Sequence, residues 1–314
     1  MALIDYTLFG VVDKVADAIA LLRQYEPPEG YYVCFSGGKD SVVTLDLVKR
    51  AGVKFEAWHN IITIEPPELM KFIYKEYPEV KHTHPNTTMH KLIVKYGMPP
   101  LRFVRFCCHN MKVPFGKGRF KVTGVRAEES AKRAKRPKVD ISEARRELNV
   151  IHDWKTADVW EYIHSRNLPY CKLYDEGLKR IGCVFCPFNS VVNNCEYAIR
   201  YPQFVRYFVT ACDRAIKTRL AKGKTHRHKT GASLFKTWID GGRGKTIEDY
   251  GYCFDAENML IKRIDEQQAR NGIKCTCSKT DAGALGLLPQ ASCATSASNC
   301  TKAAENISTN TTTY

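Results

Sequence analysis

A parallel β-sheet with helices on both faces is the fold predicted by the first two hundred residues of this 314-residue chain, and three observations carry that prediction. Short apolar and β-branched runs alternate with segments of helical periodicity. A glycine turn, Ser36-Gly37-Gly38-Lys39-Asp40-Ser41, stands where the first such run stops and the first helical pattern begins. A hydrophobic fraction of 44% supplies apolar surface for one large core or two modest ones.

The first strand, 31–35, is the apolar run Tyr31 to Phe35, and a helix at 40–50 takes over with the pattern Val42 to Arg50. The same unit recurs as strand 54–58 and helix 67–77, strand 80–84 and helix 88–96, and strand 119–125 and helix 156–165. In such sheets ligands sit beyond the carboxyl ends of the strands, which is where residues 36–41 fall. The segment Lys132 to Lys138 has no apolar period and contains a proline, so it reads as an exposed loop. A helix is expected from Cys195 to Leu220, its stripe of Tyr197, Tyr201, Phe204, Val205, Phe208 and Val209 serving as core. A short helical stretch is expected around Asp255 to Ala269. Beyond Ser278 small polar residues dominate, too few of them apolar to order the tail. Three regions follow: a nucleotide-binding domain at 1–215, a small basic helical extension at 216–277 and a disordered low-complexity tail at 278–314.

Residues 36–41 have the chemistry of a phosphate cradle. Glycines let backbone N–H groups approach an anion, and a new helix adds unpaired N–H groups and the positive end of its dipole. Ser36 and Ser41 offer hydroxyls and Lys39 offers charge. Asp40 is a loop-orienting carboxylate or a Mg²⁺ contact, with a helix N-cap as the plain alternative. Neither G-x-x-x-x-G-K-[ST] nor G-x-G-x-x-G fits the stretch.

The formal charge of +15 is concentrated in two runs. Residues 112–146 hold twelve Lys/Arg against four Asp/Glu, and residues 216–246 hold nine against one. Such belts recruit nucleic acid, polyphosphate nucleotides or acidic proteins, or else are solvated faces. The N-terminus lacks a basic, then apolar, leader and no run of about eighteen apolar residues occurs, so a cytoplasmic protein without membrane contact is expected.

In that compartment thirteen cysteines read as ligands rather than disulfides. Cys107 and Cys108 are adjacent, and Cys183-Val184-Phe185-Cys186 forms a C-x-x-C pair flanked by Gly182 and Pro187. Four thiolates suit tetrahedral zinc or an iron–sulfur cluster. Adjacent side chains diverge, which favours the separate irons of a cubane.

The loop resembles the PP-loop of the ATP pyrophosphatase superfamily, S-G-G-x-D-S, which implies an adenine nucleotide with its phosphates over Gly37 to Ser41. Arg105-Phe106-Cys107-Cys108-His109-Asn110-Met111-Lys112-Val113-Pro114 resembles the paired-cysteine segment of assimilatory adenylylsulfate reductases, in the phosphoadenosine phosphosulfate (PAPS) reductase family. Thr123-Gly124-Val125-Arg126-Ala127-Glu128-Glu129-Ser130 resembles that family's T-G-x-R-x-x-E-S stretch. Asp153-Trp154, Asp158-Val159-Trp160, Leu168-Pro169-Tyr170, Leu173-Tyr174-Asp175 and Ile181-Gly182-Cys183 follow its later pattern in order. After the second strand the superfamily's Asp-Thr-Gly is replaced by residues of Asn60-Ile61-Ile62-Thr63-Ile64-Glu65-Pro66-Pro67-Glu68, where only the Pro-Glu survives.

The resemblance implies a Rossmann-like, adenine nucleotide alpha hydrolase-like fold. It implies a [4Fe-4S] cluster on Cys107, Cys108, Cys183 and Cys186, with Arg126, Gly124, Lys112 and Arg105 near the nucleotide phosphates or sulfate. It also implies reduction of adenylyl sulfate or PAPS to sulfite by a mobile C-terminal cysteine, with thioredoxin or glutaredoxin as reductant. The family's Glu-Cys-Gly-x-His is absent, which leaves Cys253, Cys275 and Cys277 as nucleophiles. A complete loop with Lys39 and two basic belts supports a rival: an ATP pyrophosphatase that adenylates a nucleic acid and inserts sulfur. A binding module without turnover is the third reading.

Overall fold

The computed structural model describes residues 3–7, 10–112, 115–142, 145–241 and 244–264. The expected tail at 278–314 lies outside the described residues, as do Cys275 and Cys277 at the end of the expected extension. The chain forms two compact units, Met1–Thr87 with Cys107–Cys183, and Thr88–Phe106 with Val184–Tyr314.

The first unit opens with an antiparallel hairpin, β1 (Ile4–Thr7) and β2 (Gly10–Asp13), leading into α1 (Lys14–Gln24). The Asp13 carboxylate caps α1 by accepting the N–H groups of Val15 and Ala16. There follow β3 (Tyr31–Cys34), α2 (Lys39–Ala51), β4 (Phe55–Asn60), α3 (Pro67–Glu76) and β5 (Lys81–Thr83). The chain enters the second unit for α4 (Met89–Tyr96) and returns within α5 (Phe106–Met111). It then completes the sheet with β6 (Lys121–Thr123), β7 (Val139–Ser142) and β8 (Arg145–Asn149), before α7 (Thr156–Ser165); the short α6 (Ala131–Ala134) precedes β7.

Six strands lie in the order β5-β4-β3-β6-β8-β7, all parallel except β7, which pairs antiparallel with β8. Strand alternation sends Tyr31, Val33, Ala57, Val122 and Leu148 into one core, against Ala18 and Leu22 of α1, Val43 and Leu47 of α2, and Val159 and Ile163 of α7. Each large aliphatic side chain buried there contributes about 1.5–3 kcal/mol.

The second unit packs α4 and α10 (Gly231–Ile239) against α9 (Pro202–Ala221), with α8 (Val191–Arg200) beside the hairpin of β9 (Tyr252–Asp255) and β10 (Leu260–Arg263). Several expectations change here. The single helix at 195–220 is two, because Pro202 cannot donate an N–H and starts α9 at its first position after a non-helical Tyr201. The boundary expected after residue 215 falls inside α9. The stretch from Asp255 is not helical: it turns through residues 256–259, with Met259 at φ 54°, into β10, while 265–269 lie outside the described residues. The segment 132–138 holds part of α6, capped by the Ser130 hydroxyl. Strand 119–125 shortens to β6, since Gly124 and Arg126 leave the ladder to pack on α2.

Candidate functional site

The glycine loop lies at the carboxyl end of β3, between a core strand and the first turn of α2. Gly37 sits at φ 73°, a backbone conformation that favours glycine, and a Cβ there would also press 2.7 Å and 2.8 Å on the side-chain ends of Leu69 and Ile73 of α3. Gly38 is the N-cap of α2, which carries no side-chain cap. That excludes the N-cap reading of Asp40 and leaves the helix end built from backbone N–H groups. The Ser41 hydroxyl donates to Gly38 O at 2.8 Å and accepts the Ser36 N–H at 3.2 Å, which cross-ties the turn.

Lys39 is buried, with Nζ 3.2 Å from Asp40 Oδ2. The other Asp40 oxygen accepts Arg126 Nε at 2.6 Å. Asp40 thus has each oxygen on a cation, which ties the loop to Arg126. Arg126, 3% exposed, also donates to Glu128 at 2.6 Å, Trp154 O at 3.2 Å and Thr156 Oγ1 at 3.1 Å. Its fork is spent bracing α2 against the segment after β6. Gly124 permits this approach, since a Cβ there would lie 2.8 Å from Asp40 O.

Tyr174 completes the cradle. Its hydroxyl accepts the Lys39 N–H at 2.9 Å, and Lys39 Nζ lies 5.8 Å from its ring, which stands edge-on to Trp160. Burial pushes the phenol upward, so it remains a neutral hydroxyl.

Beside the loop stands a pair that sequence reasoning missed. His59 Nδ1 lies 3.1 Å from Phe35 O, and a carbonyl only accepts, so Nδ1 carries the proton. Its Nε2 is buried without a hydrogen-bond partner, 3.8 Å from Glu65 Oε1. Glu65 accepts N–H groups from Ile62 at 2.5 Å and Ile64 at 3.1 Å across a turn where Thr63 takes φ 68°. Burial pushes the Glu65 carboxyl upward against those bonds and the charge of Lys112. No motif in the sequence signals the pair: the surviving Pro-Glu is Pro67-Glu68, and Glu65 stands ahead of it.

Burial pushes His59 down to about 4 from 6.5, so it is neutral at physiological pH. A depressed folded pKa means that the unfolded chain takes up a proton first. The stability from neutral His59 is therefore complete above pH 6.5 and lost as pH falls toward 4, on the order of 3 kcal/mol. The raised Glu65 acts oppositely: its contribution is present at pH below its unfolded value and lost as pH rises through its folded value. His59→Gln is expected to flatten the fall in unfolding free energy between pH 6.5 and 4, read by denaturant titration at a series of pH values. An unchanged slope would show that His59 does not carry it.

Of the cysteines, Cys107, Cys108 and Cys183 belong to the first unit and Cys186 to the second. The hydrogen bond with Cys108, burial, and the fields of Cys108 and Cys183 together push the Cys107 thiol up, so three sulfurs gather. The C-x-x-C turn is built on Phe185 at φ 58°, its ring fully buried at 5.1 Å from Phe208 and 5.7 Å from Phe235. Within the second unit Arg102 Nε donates to Pro187 O at 2.9 Å and the Arg105 guanidinium lies 5.0 Å from the Phe188 ring. This clasp ties the residues just before Cys107 to those just after Cys186, and it occupies Arg105. Soft sulfur donors in two close pairs fit an iron–sulfur group by donor chemistry. As they stand, among the described residues no group of three or more His, Cys, Asp or Glu is arranged to hold a metal ion. Cys253 is half-buried in β9, opposite Lys262. Among the described residues no helix is long and apolar enough to cross a membrane.

A parallel sheet whose first long strand turns through serines and glycines into a helix defines a nucleotide-binding α/β protein. Residues 30–189 match the family model of the phosphoadenosine phosphosulfate reductase domain, and the chain belongs to that family. An uncharacterized protein of Methanocaldococcus jannaschii is 29% identical over 206 residues, covering 57% of this chain and 41% of that protein, so the chain spans well under half of that relative. An adenosine 5′-phosphosulfate reductase of Oceanobacillus iheyensis is 29% identical over 170 residues, 49% of this chain and 70% of that one. Adenosine 5′-phosphosulfate reductase 2 of Bacillus subtilis is 26% identical over 216 residues, 61% and 87% of the two chains.

Proposed function

We propose that the chain reduces a sulfonucleotide, adenylyl sulfate or its 3′-phosphorylated form, to sulfite, with the nucleotide phosphate seated over Gly37 to Ser41. The observation that carries this reading is the cradle: a helix N-terminus that begins on Gly38 with no cap from that residue, a buried Lys39 and a neutral Tyr174 hydroxyl meeting at one loop. A cysteine thiolate attacks the sulfonyl sulfur, the S–O bond breaks, and the nucleoside monophosphate leaves with the electron pair. A dithiol of the thioredoxin or glutaredoxin class then attacks the cysteine sulfur and expels sulfite, and is itself oxidised to the disulfide. Cys253, Cys275 and Cys277 are the candidates for the nucleophile. Cys107, Cys108, Cys183 and Cys186 would hold a [4Fe-4S] cluster, which when bound supplies a polarisable charge for the sulfate.

One observation favours a second reading, an ATP pyrophosphatase that adenylates and thiolates a nucleic acid. Lys39 is retained and buried at the loop, where a β- or γ-phosphate would use its charge. The deciding experiment is anaerobic purification with iron counting, then calorimetric titration with ATP, adenylyl sulfate and PAPS. Tightest binding of a sulfonucleotide, with sulfite released on adding thioredoxin, is expected. Preference for ATP with pyrophosphate release stimulated by DNA or RNA would replace the reductive reading with the second.

A further inference from the structure

We propose that the cleft between α4 and α9 in the second unit binds the phosphodiester backbone of a nucleic-acid strand. The cleft is a cavity of about 380 Å³ lined by His90, Lys91, Val94, Arg214, Lys217 and Thr218. Three cations, an imidazole and a hydroxyl converge there and no carboxylate does. Among the described residues no acid forms an ion pair with Lys91, Arg214 or Lys217, and all three are exposed. The neighbouring acid Asp213 is taken up elsewhere, its carboxylate accepting the Gly231 N–H at 2.5 Å. Unpaired cations held together repel one another, a cost that a bound polyanion removes.

The cleft is held in place rather than improvised by mobile side chains. The His90 N–H donates to the Tyr207 hydroxyl at 2.8 Å, and the two rings meet edge-on at 5.5 Å, which locks the first turn of α4 onto α9. Burial and the Arg214 charge push His90 downward, so it offers a neutral imidazole for hydrogen bonding.

A phosphodiester strand explains the arrangement better than a small anion because the charge continues past the cleft. Arg219, Lys222 and Lys224 follow along and just past the end of α9, and Arg227 and Lys229 lie on the segment that returns to Gly231 beside Asp213, all exposed. From Arg214 to Lys222 a helix rises about 12 Å, longer than one phosphate group. The cleft adds His90 and Lys91, which lie outside both basic runs of the sequence. The cleft belongs to the second unit and the glycine loop to the first, and the proposal depends on neither reaction proposed above.

The test is fluorescence anisotropy of labelled single-stranded and duplex oligonucleotides, without nucleotide, over a series of salt concentrations. The wild-type chain is compared with Lys91→Ala/Arg214→Ala/Lys217→Ala and with Lys132→Ala/Lys135→Ala, a control from the other basic run. The cleft variant is expected to bind at least about tenfold more weakly and to lose about two to three units of salt slope, with melting temperature unchanged. The control should bind like wild type. Equal affinity of the cleft variant, or a loss confined to the control, would overturn the proposal. So would pyrophosphate binding at the cleft that no oligonucleotide displaces, since that marks a small-anion site.

Discussion

Lys39→Ala is expected to weaken adenine-nucleotide binding by about 10- to 100-fold, or about 1.4–2.8 kcal/mol, while leaving the fold intact. The ammonium is buried beside the N-terminal end of α2, where low polarity strengthens its pull on a phosphate. Its removal leaves Asp40 still paired with Arg126 at 2.6 Å, so the loop keeps its orientation and little stability is lost. Lys39→Arg is not expected to restore affinity, because a planar guanidinium does not fit a position 5% exposed between Asp40 and the Tyr174 ring. Calorimetric titration reads the result directly. Wild-type affinity in Lys39→Ala would remove the loop as the phosphate site.

Arg126→Met separates a bracing role from a phosphate-binding one. The guanidinium is nearly inaccessible and makes four polar contacts, to Asp40, Glu128, Trp154 O and Thr156. Breaking a buried pair costs about 3–5 kcal/mol, discounted here to roughly 2–3 because Asp40 and Glu128 reach solvent. For a chain of this size the melting temperature should fall by roughly 5–10 °C. Arg126→Lys should recover little, since one ammonium cannot reach all four acceptors. An unchanged melting temperature with lost nucleotide affinity would instead make Arg126 a phosphate ligand, as the family resemblance implied.

The parallel sheet was legible because the run Tyr31 to Phe35 and the glycine turn after it report strand, loop and helix in one line, and α7 lies where its pattern placed it. The antiparallel β7–β8 pair was not, because Asp140, Ser142, Arg145 and Arg146 carry no apolar alternation; the pairing rests on the ladder that sets Val139 against Leu148 and Ile141 against Arg146. The helix expected around Asp255 to Ala269 is, as far as Arg263, the turn and second strand of the β9–β10 hairpin, its register fixed by the pairing of Leu260 with Asp255. In the site, the loop residues announce themselves by type and order. The partnership of His59 with Glu65 does not, since it exists only because the chain reverses at Thr63. Tyr174 is likewise 135 residues from the N–H it meets.

The two borders of the six-stranded sheet bear on how copies of the chain meet. One border is β5, three residues long, whose Lys81 is drawn back over Trp58 at 5.3 Å and onto Glu56. The other is β7, four residues long, where the Asp140 carboxylate folds onto the Ser142 N–H and hydroxyl. Brief, charged margins of this kind offer a second copy too few open backbone groups to continue the ladder. Both ends of the sheet formed by the described residues thus disfavour self-association by strand addition.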